Sequence, residues 1–248
     1  MLLDASARSI TDQTNGAYEE RFKDEVHPAF SSLHFPDDGL FMRLNGYPLK
    51  DGKYGAPGRR SLHSIQEIIF CLTRSERARN DMQTNIEGHS ATIDLIFLPF
   101  NDRMASKHEY RVYCSPGKGA IAAVSQYCWH KPWIFSSLQS EEMNKTADAI
   151  WNGIVGIHQQ IIGDLDRTNE LDALLLKQGY TFDVFYNKEK GTSALVDLNV
   201  FGATSGCRSS LFHWIEDLTL LYGDEEEVEF NVTVENQGGA GILSTCFL

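Results

Sequence analysis

The chain has 248 residues, of which 42% are hydrophobic and 23% are charged, as in an ordinary globular protein. Its net charge of −12 argues against a broad nucleic-acid-binding surface, which needs a basic footprint. No apolar run approaches the roughly 20 residues of a membrane span. With no secretory signal, we expect a cytoplasmic protein that has no membrane partner and whose five cysteines are reduced.

The first part of the chain predicts two short strands with a helix between them. The first strand is apolar except for Arg43. The helix begins with a capping box formed by Ser64 and Glu67, and its isoleucines recur at helical spacing. The second strand is stopped by Pro99, which cannot donate a backbone hydrogen bond. The predicted elements are a strand over Leu40–Leu44, a helix over Leu62–Met82 and a strand over Thr92–Leu98.

A basic cluster lies around the loop that follows the first strand. It is the densest group of cations in an acidic chain, so it is either a solvated loop or a rim that binds phosphate. Its members are Arg43, Lys50, Lys53, Arg59 and Arg60.

The second part of the chain predicts a sheet covered by a long helix. The isoleucines of Ser140–Asp164 step by three and four residues, which is typical of a helix that packs on a sheet. Glu109 and Arg111 lie two apart on a predicted strand and therefore share one face. They form either a surface ion pair or a pair that orients Arg111 toward phosphate. The remaining predictions are strands over His108–Cys114, Ala120–Tyr127 and Val228–Val234, either a loop or a short helix over Leu171–Gln178, a helix from Leu211, and a loosely ordered tail from Asn236.

The stretch from Tyr180 to Gly202 predicts a β-hairpin with three polar residues on one face. Asp197 and Asn199 are two apart on the second strand, and the expected register places Asp183 opposite Leu195 and diagonal to Asp197. Two carboxylates and an amide oxygen are hard ligands that suit Mg²⁺ bound together with nucleotide phosphates. The alternative is a polar stripe that faces solvent.

Short motifs in this order resemble those of the cell division cycle protein 123 family. The resemblance covers about residues 39–235 and implies an α+β, ATP-grasp fold. In that fold, two lobes of antiparallel sheet with flanking helices clamp ATP. The lobes are expected at residues 1–90 and 91–248, the second of them with the nucleotide and metal site. The motifs are the segments 44–51, 73–75, 109–113, 123–127, 182–185, 196–202 and 211–214.

The resemblance also implies roles for individual residues. Arg43 and Lys50 would contact phosphate, although the family usually has a lysine where this chain has Arg43. The hinge that reads adenine through its backbone would be formed by Leu98, Pro99 and Phe100, and Pro99 has no N–H to offer. The residues that would bind Mg²⁺ are Asp183, Asp197 and Asn199.

Two functions follow from the resemblance. The first is an ATP- and Mg²⁺-binding assembly chaperone for the heterotrimeric translation initiation factor, acting through its γ subunit. The second is an ATP-dependent carboxylate–amine ligase acting on a small carboxylate or amine substrate. In such a ligase the carboxylate takes the γ-phosphoryl group of ATP to form an acyl phosphate and ADP, and the amine then displaces phosphate to form the amide. In the ligase, Arg111 would stabilise the transferring phosphoryl group and Arg208 would hold a carboxylate. A protein-kinase-like role and a degenerate pseudoenzyme are further alternatives.

Overall fold

The computed structural model describes residues 22–44, 49, 60–87, 93–101, 106–203, 210–236 and 239–247. The chain forms two compact units, Met1–Asp102 and Arg103–Leu248. The division falls later than the lobe boundary predicted after residue 90, because the second strand, β2 (Leu95–Pro99), pairs with the first strand, β1 (Leu40–Leu44).

In the first unit, the antiparallel pair β1–β2 and two helices surround a small core. Alternate residues of β1 are buried, and they pack with the isoleucines of helix α1 (Ile65–Arg74). The capping box at the start of α1 is confirmed, because Ser64 accepts a hydrogen bond from the backbone N–H of Glu67. The predicted helix is divided in two, since Ser75 has an extended backbone and its hydroxyl caps helix α2 (Glu76–Glu87).

The second unit is built on a six-stranded sheet. Its strands are β3 (Glu109–Cys114), β4 (Ile121–Gln126), β5 (Tyr180–Asn187), β6 (Thr192–Val200), β7 (Val228–Asn236) and β8 (Gly239–Phe247). Five strand pairings hold them in the order β6-β5-β3-β4-β7-β8. Four pairings are antiparallel, and the β4–β7 pairing is parallel, so the sheet is mixed.

Helix α3 (Ser140–Asp164) packs against one face of this sheet, which we call the core face. Ile150 and Ile154 of α3 are fully buried among side chains of β3 and β5, such as Val112 and Phe182. The opposite face, which carries Arg111 and Asp183, is called the site face. Helix α4 (Glu170–Gln178) follows α3 and leads into β5.

Two predictions for the end of the chain are wrong. The tail expected to be loosely ordered forms β8, because residues 239–247 pair in an unbroken register with β7 and Phe247 stacks on Trp151 of α3. The helix expected from Leu211 is a series of turns followed by the four-residue helix α5 (Leu218–Leu221). No helix in the described parts of the chain combines the length and apolarity needed to cross a membrane.

Candidate functional site

A row of charged side chains crosses three neighbouring strands on the site face. Asp183 on β5 lies opposite Arg111 on β3 and opposite Asp197 on β6. The expected register, with Leu195 opposite Asp183, is wrong because a bulge at Val196 inserts one extra residue into β6. The bulge makes the two aspartates direct cross-strand neighbours, whose Cβ atoms typically lie about 4.5–5.5 Å apart.

Arg111 and Asp183 form a bidentate ion pair at the centre of this row. Nε of Arg111 donates to Oδ1 of Asp183 and Nη2 donates to Oδ2, both at 2.8 Å. The two side chains are only 7% and 5% exposed. The guanidinium also lies 5.0 Å from the ring centre of Tyr127. This fork-to-carboxylate geometry is among the strongest that arginine makes, and it fixes the position of both side chains.

Asp197 and Asn199 extend the row along β6, and both are partly buried. Oδ1 of Asp197 accepts a hydrogen bond of 3.2 Å from the backbone N–H of Leu198. Asn199 lies opposite Thr181, and its Nδ2 atom is buried without a hydrogen-bond partner in the described part of the chain. Because buried amide groups are nearly always paired, this atom is available for a further acceptor.

Three carboxylates, those of Glu109, Asp183 and Asp197, lie on the site face. Glu109 and Arg111 share the site face, as predicted, and Glu109 is 7% exposed. Among the described residues, no three His, Cys, Asp or Glu side chains are close enough to hold a metal ion. A site here would therefore combine two aspartates with the amide oxygen of Asn199, which suits Mg²⁺ and its retained water ligands.

The polar row continues across the sheet through two residues that no sequence motif indicated as site residues. Ser125 on β4 lies opposite Arg111, and Asn231 on β7 lies opposite Ser125. The Ser125 hydroxyl accepts a hydrogen bond from the backbone N–H of Leu211, so it anchors the segment after residue 209 to the site face. Oδ1 of Asn231 is buried and accepts no hydrogen bond from the described residues. The sequence did contain a signal for them, because Ser125 and Asn231 are polar residues inside predicted strands.

Aromatic side chains cover the end of the site face beyond this row. Tyr113, which is fully buried, contacts the rings of Phe212 and Trp214 edge-on, with centroids 5.7 Å apart in both cases. Trp214 in turn packs against Phe201 at the end of β6. The segment 210–222 thus packs over the part of the site face next to Thr181 and Asn199.

His108, directly before β3, lies between an aromatic residue on the site face and an aromatic residue of the main core. Its ring is 5.9 Å from that of Phe185, which faces Glu109, and 6.4 Å from that of Phe135 in the main core. Burial lowers the pKa of His108, and the positive charge of Lys107 lowers it further. Both effects disfavour the charged imidazolium.

In the first unit, Arg43 and the predicted hinge lie on neighbouring strands. Arg43 of β1 lies opposite Ile96 of β2, and Phe41 lies opposite Leu98. Since the alternate residues of β1 form the core, Arg43 faces away from it, on the side where Ile96 and Leu98 are 39% and 47% exposed. This side of the pair therefore combines one cation with an exposed apolar surface.

The backbone of the predicted hinge has little capacity to donate hydrogen bonds. The N–H of Phe100 is already bonded to the carbonyl of Gly39 at 2.9 Å, and Pro99 has no N–H. An adenine contact at this hinge would need a different backbone N–H, or carbonyl acceptors. The predicted adenine contact of Leu98, Pro99 and Phe100 remains a prediction.

Two predicted site residues lie outside the part of the chain that the structure describes. Lys50 belongs to the basic loop, and Arg208 belongs to the segment between β6 and residue 210. Their predicted roles at phosphate and at a substrate carboxylate remain predictions.

The fold described above matches a known structure. Cdc123 from Schizosaccharomyces pombe aligns with a TM-score of 0.60 over 92% of this chain and 83% of that chain, at 15% sequence identity. The chain has a Cdc123-like fold. The α+β, ATP-grasp-like fold class is therefore confirmed, and so is the predicted resemblance at the level of the fold. No protein-family model and no curated protein matched the sequence.

Proposed function

We propose that the chain is a member of the Cdc123 family that binds ATP together with Mg²⁺. The observation that carries this proposal is the row of Asp197, Asp183 and Arg111 on the site face of a Cdc123-like fold. A stable fold gains little from two aspartates placed directly opposite each other, because like charges in this position repel. Such a pair is useful where a cation and the phosphates of a nucleotide must be held.

Each member of the row has a distinct proposed role. Asp183, Asp197 and Asn199 supply oxygen ligands for Mg²⁺, which would neutralise phosphate charge and fix the triphosphate in one orientation. Arg111 binds a phosphate oxygen through its planar fork. Glu109, two residues before Arg111 on the same face, orients the guanidinium. For the first unit, the phosphate contacts of Arg43 and Lys50 and the adenine contact of Leu98, Pro99 and Phe100 remain predictions.

For the biological role, we propose assembly of the heterotrimeric translation initiation factor through its γ subunit, in the cytoplasm. In this role ATP is a structural or switching ligand, so tight binding without turnover is expected. The ligase alternative differs in one measurable respect, which is the formation of ADP or AMP when a carboxylate and an amine are supplied.

The test is isothermal calorimetry of ATP with and without Mg²⁺, on the wild type and on Asp197→Ala. The wild type should bind ATP more tightly with Mg²⁺. Asp197→Ala should lose this Mg²⁺-dependent gain by more than about tenfold, since even residues outside the first ligand shell of metal sites contribute that much. The matched control is Asp148→Ala, which removes an exposed carboxylate from α3 and should bind like the wild type.

Three results would count against parts of the proposal. Unchanged Mg²⁺-dependent affinity in Asp197→Ala would remove this residue from the site. Product formation in the same samples would favour the ligase over the chaperone. Failure of the purified protein to capture the γ subunit in the presence of ATP and Mg²⁺ would leave nucleotide binding without the proposed partner.

A further inference from the structure

The guanidinium of Arg111 occupies both oxygens of the carboxylate at the centre of the polar row. The two hydrogen bonds to Asp183 are 2.8 Å long, and the pair is almost fully buried. Asp183 is also the direct neighbour of Asp197. Asp183 therefore belongs both to the ion pair with Arg111 and to the pair of aspartates that would hold a metal.

A buried carboxylate binds each of two cations more weakly than it would bind either cation alone. A divalent cation that uses an oxygen of Asp183 must either displace an N–H of Arg111 or approach against the positive charge of the guanidinium. Both are unfavourable where little water screens the charges. Arg111 is consequently a competitor of the metal for Asp183.

A triphosphate offers Arg111 an alternative acceptor. Phosphate oxygens match the arginine fork as well as a carboxylate does. The guanidinium also lies 5.0 Å from the ring centre of Tyr127. This cation–π contact does not depend on Asp183. A side chain held in this way can exchange one anionic partner for another without becoming unpaired.

We propose that the Arg111–Asp183 pair makes metal binding conditional on the nucleotide. Arg111 holds Asp183 until a triphosphate draws the guanidinium away, and the released carboxylate then joins Asp197 as a metal ligand. Since coupling between two ligands is reciprocal, the metal also strengthens nucleotide binding by the same factor. This inference rests on the proposed function. It adds that the nucleotide binds before the metal and that each strengthens binding of the other.

The proposal makes an unusual prediction for Arg111→Met, which removes a cation. The variant should bind Mn²⁺ without nucleotide at least about fivefold more tightly than the wild type, the lower end of typical coupling factors. It should bind AMP-PNP about tenfold more weakly, because it loses a charged hydrogen-bond donor to phosphate. Free Mn²⁺ is measured by electron paramagnetic resonance and AMP-PNP affinity by calorimetry.

Two controls separate this effect from general electrostatics and from unfolding. Lys145→Met removes one positive charge from an exposed side chain on α3 and should change neither affinity. Arg111→Lys keeps the charge but not the fork and should give a smaller rise in Mn²⁺ affinity than Arg111→Met. Near-ultraviolet circular dichroism verifies that each variant is folded at the temperature of the titration.

A wild-type measurement covers the case in which Arg111→Met does not fold. The buried Nε–H of Arg111 should give a protected NMR signal. That signal should shift when AMP-PNP and Mg²⁺ are added together, because its acceptor changes from Asp183 to phosphate. An unchanged signal in protein saturated with both ligands would overturn the inference.

The outcomes also distinguish this inference from the proposed function. If the wild type binds Mn²⁺ with AMP-PNP but Arg111→Met gains no affinity for Mn²⁺ alone, the inference is overturned and the function stands. If Arg111→Met binds Mn²⁺ alone while the wild type binds none even with AMP-PNP, competition by Arg111 is supported and the function is overturned. If neither binds Mn²⁺, both are overturned.

Discussion

The two faces of the six-stranded sheet are equally buried at their centres but bury opposite kinds of side chain. On the core face, Val112, Phe182 and Val184 are fully buried beneath α3. On the site face, the adjacent residues Arg111 and Asp183 are 6% and 3% exposed. Successive residues of the same strands therefore experience similar burial with very different energetic consequences.

These consequences can be compared in size. Burying a Val or Phe side chain stabilises a fold by about 1.5–3 kcal/mol. A buried ion pair is often no better than apolar residues of the same volume, and can be about 1–4 kcal/mol worse. We infer that the core face contributes most of the stability of the second unit, whereas the charges of the site face contribute little. The following predictions test this division.

The largest effect is expected from breaking the central ion pair on one side only. Arg111→Met leaves Asp183 buried without its main partner, which should lower the free energy of unfolding by about 3–5 kcal/mol. The double variant Arg111→Met with Asp183→Leu should recover most of this loss, because both charges are then absent. Urea unfolding followed by circular dichroism measures both values.

The exposed pair on α3 is the matched control. Lys145 and Glu141 are 2.7 Å apart with side chains 71% and 82% exposed, so Lys145→Met should change the stability by no more than about 1 kcal/mol. If the double variant on the site face were as unstable as Arg111→Met alone, the site face would contribute to stability and the division between the faces would fail.

The sequence predicted which residues of one strand share a face better than it predicted which residues of different strands are in contact. Alternation along a strand is local, so the shared faces of Asp197 with Asn199 and of Glu109 with Arg111 could be read directly. The contact between Arg111 and Asp183 joins residues 72 positions apart, and it depends on the pairing of β3 with β5. No local pattern contains that pairing.

The errors have the same origin in long-range structure. The bulge at Val196 moves Asp197 opposite Asp183, and hairpin turn rules alone do not foresee it. The glycine-rich tail forms β8 because β7 offers it a free edge. The break at Ser75 had a local signal, since serine is a favoured N-cap, but the pattern of apolar residues continued across it.

A second prediction concerns the close approach of α3 to the hairpin. Gly153 of α3 lies against Ser193 of β6, so an added Cβ atom would overlap the serine side chain. Gly153→Ala should therefore destabilise the protein by about 1–3 kcal/mol, even though alanine favours a helix by about 1 kcal/mol over glycine. Ser193→Gly in the same protein should relieve most of the loss in thermal unfolding.

Gly156 provides the matched control for this substitution on the same helix. Among the described residues, and apart from the adjacent backbone of α3 itself, no atom lies within 4 Å of a Cβ placed there. Gly156→Ala should thus leave the stability unchanged or raise it by up to about 1 kcal/mol. Equal effects at Gly153 and Gly156 would contradict the close packing of α3 against β6.

The smallest expected effect is the pH dependence due to His108, whose ring contacts Phe185 and Phe135. Burial and Lys107 lower the pKa of His108 in the folded protein. Between this lowered pKa and the unfolded value of about 6.5, the unfolded chain binds more protons. Stability should therefore be complete above about pH 6.5 and fall as the pH is lowered through the folded pKa.

His108→Leu should remove this part of the acid sensitivity. Its free energy of unfolding should fall less than that of the wild type between about pH 7 and pH 5, measured by urea unfolding at each pH. Lys107→Met removes only the second cause of the shift, so its curve should lie between the other two. Parallel curves for His108→Leu and the wild type would show that burial does not lower the pKa of His108 in the folded protein.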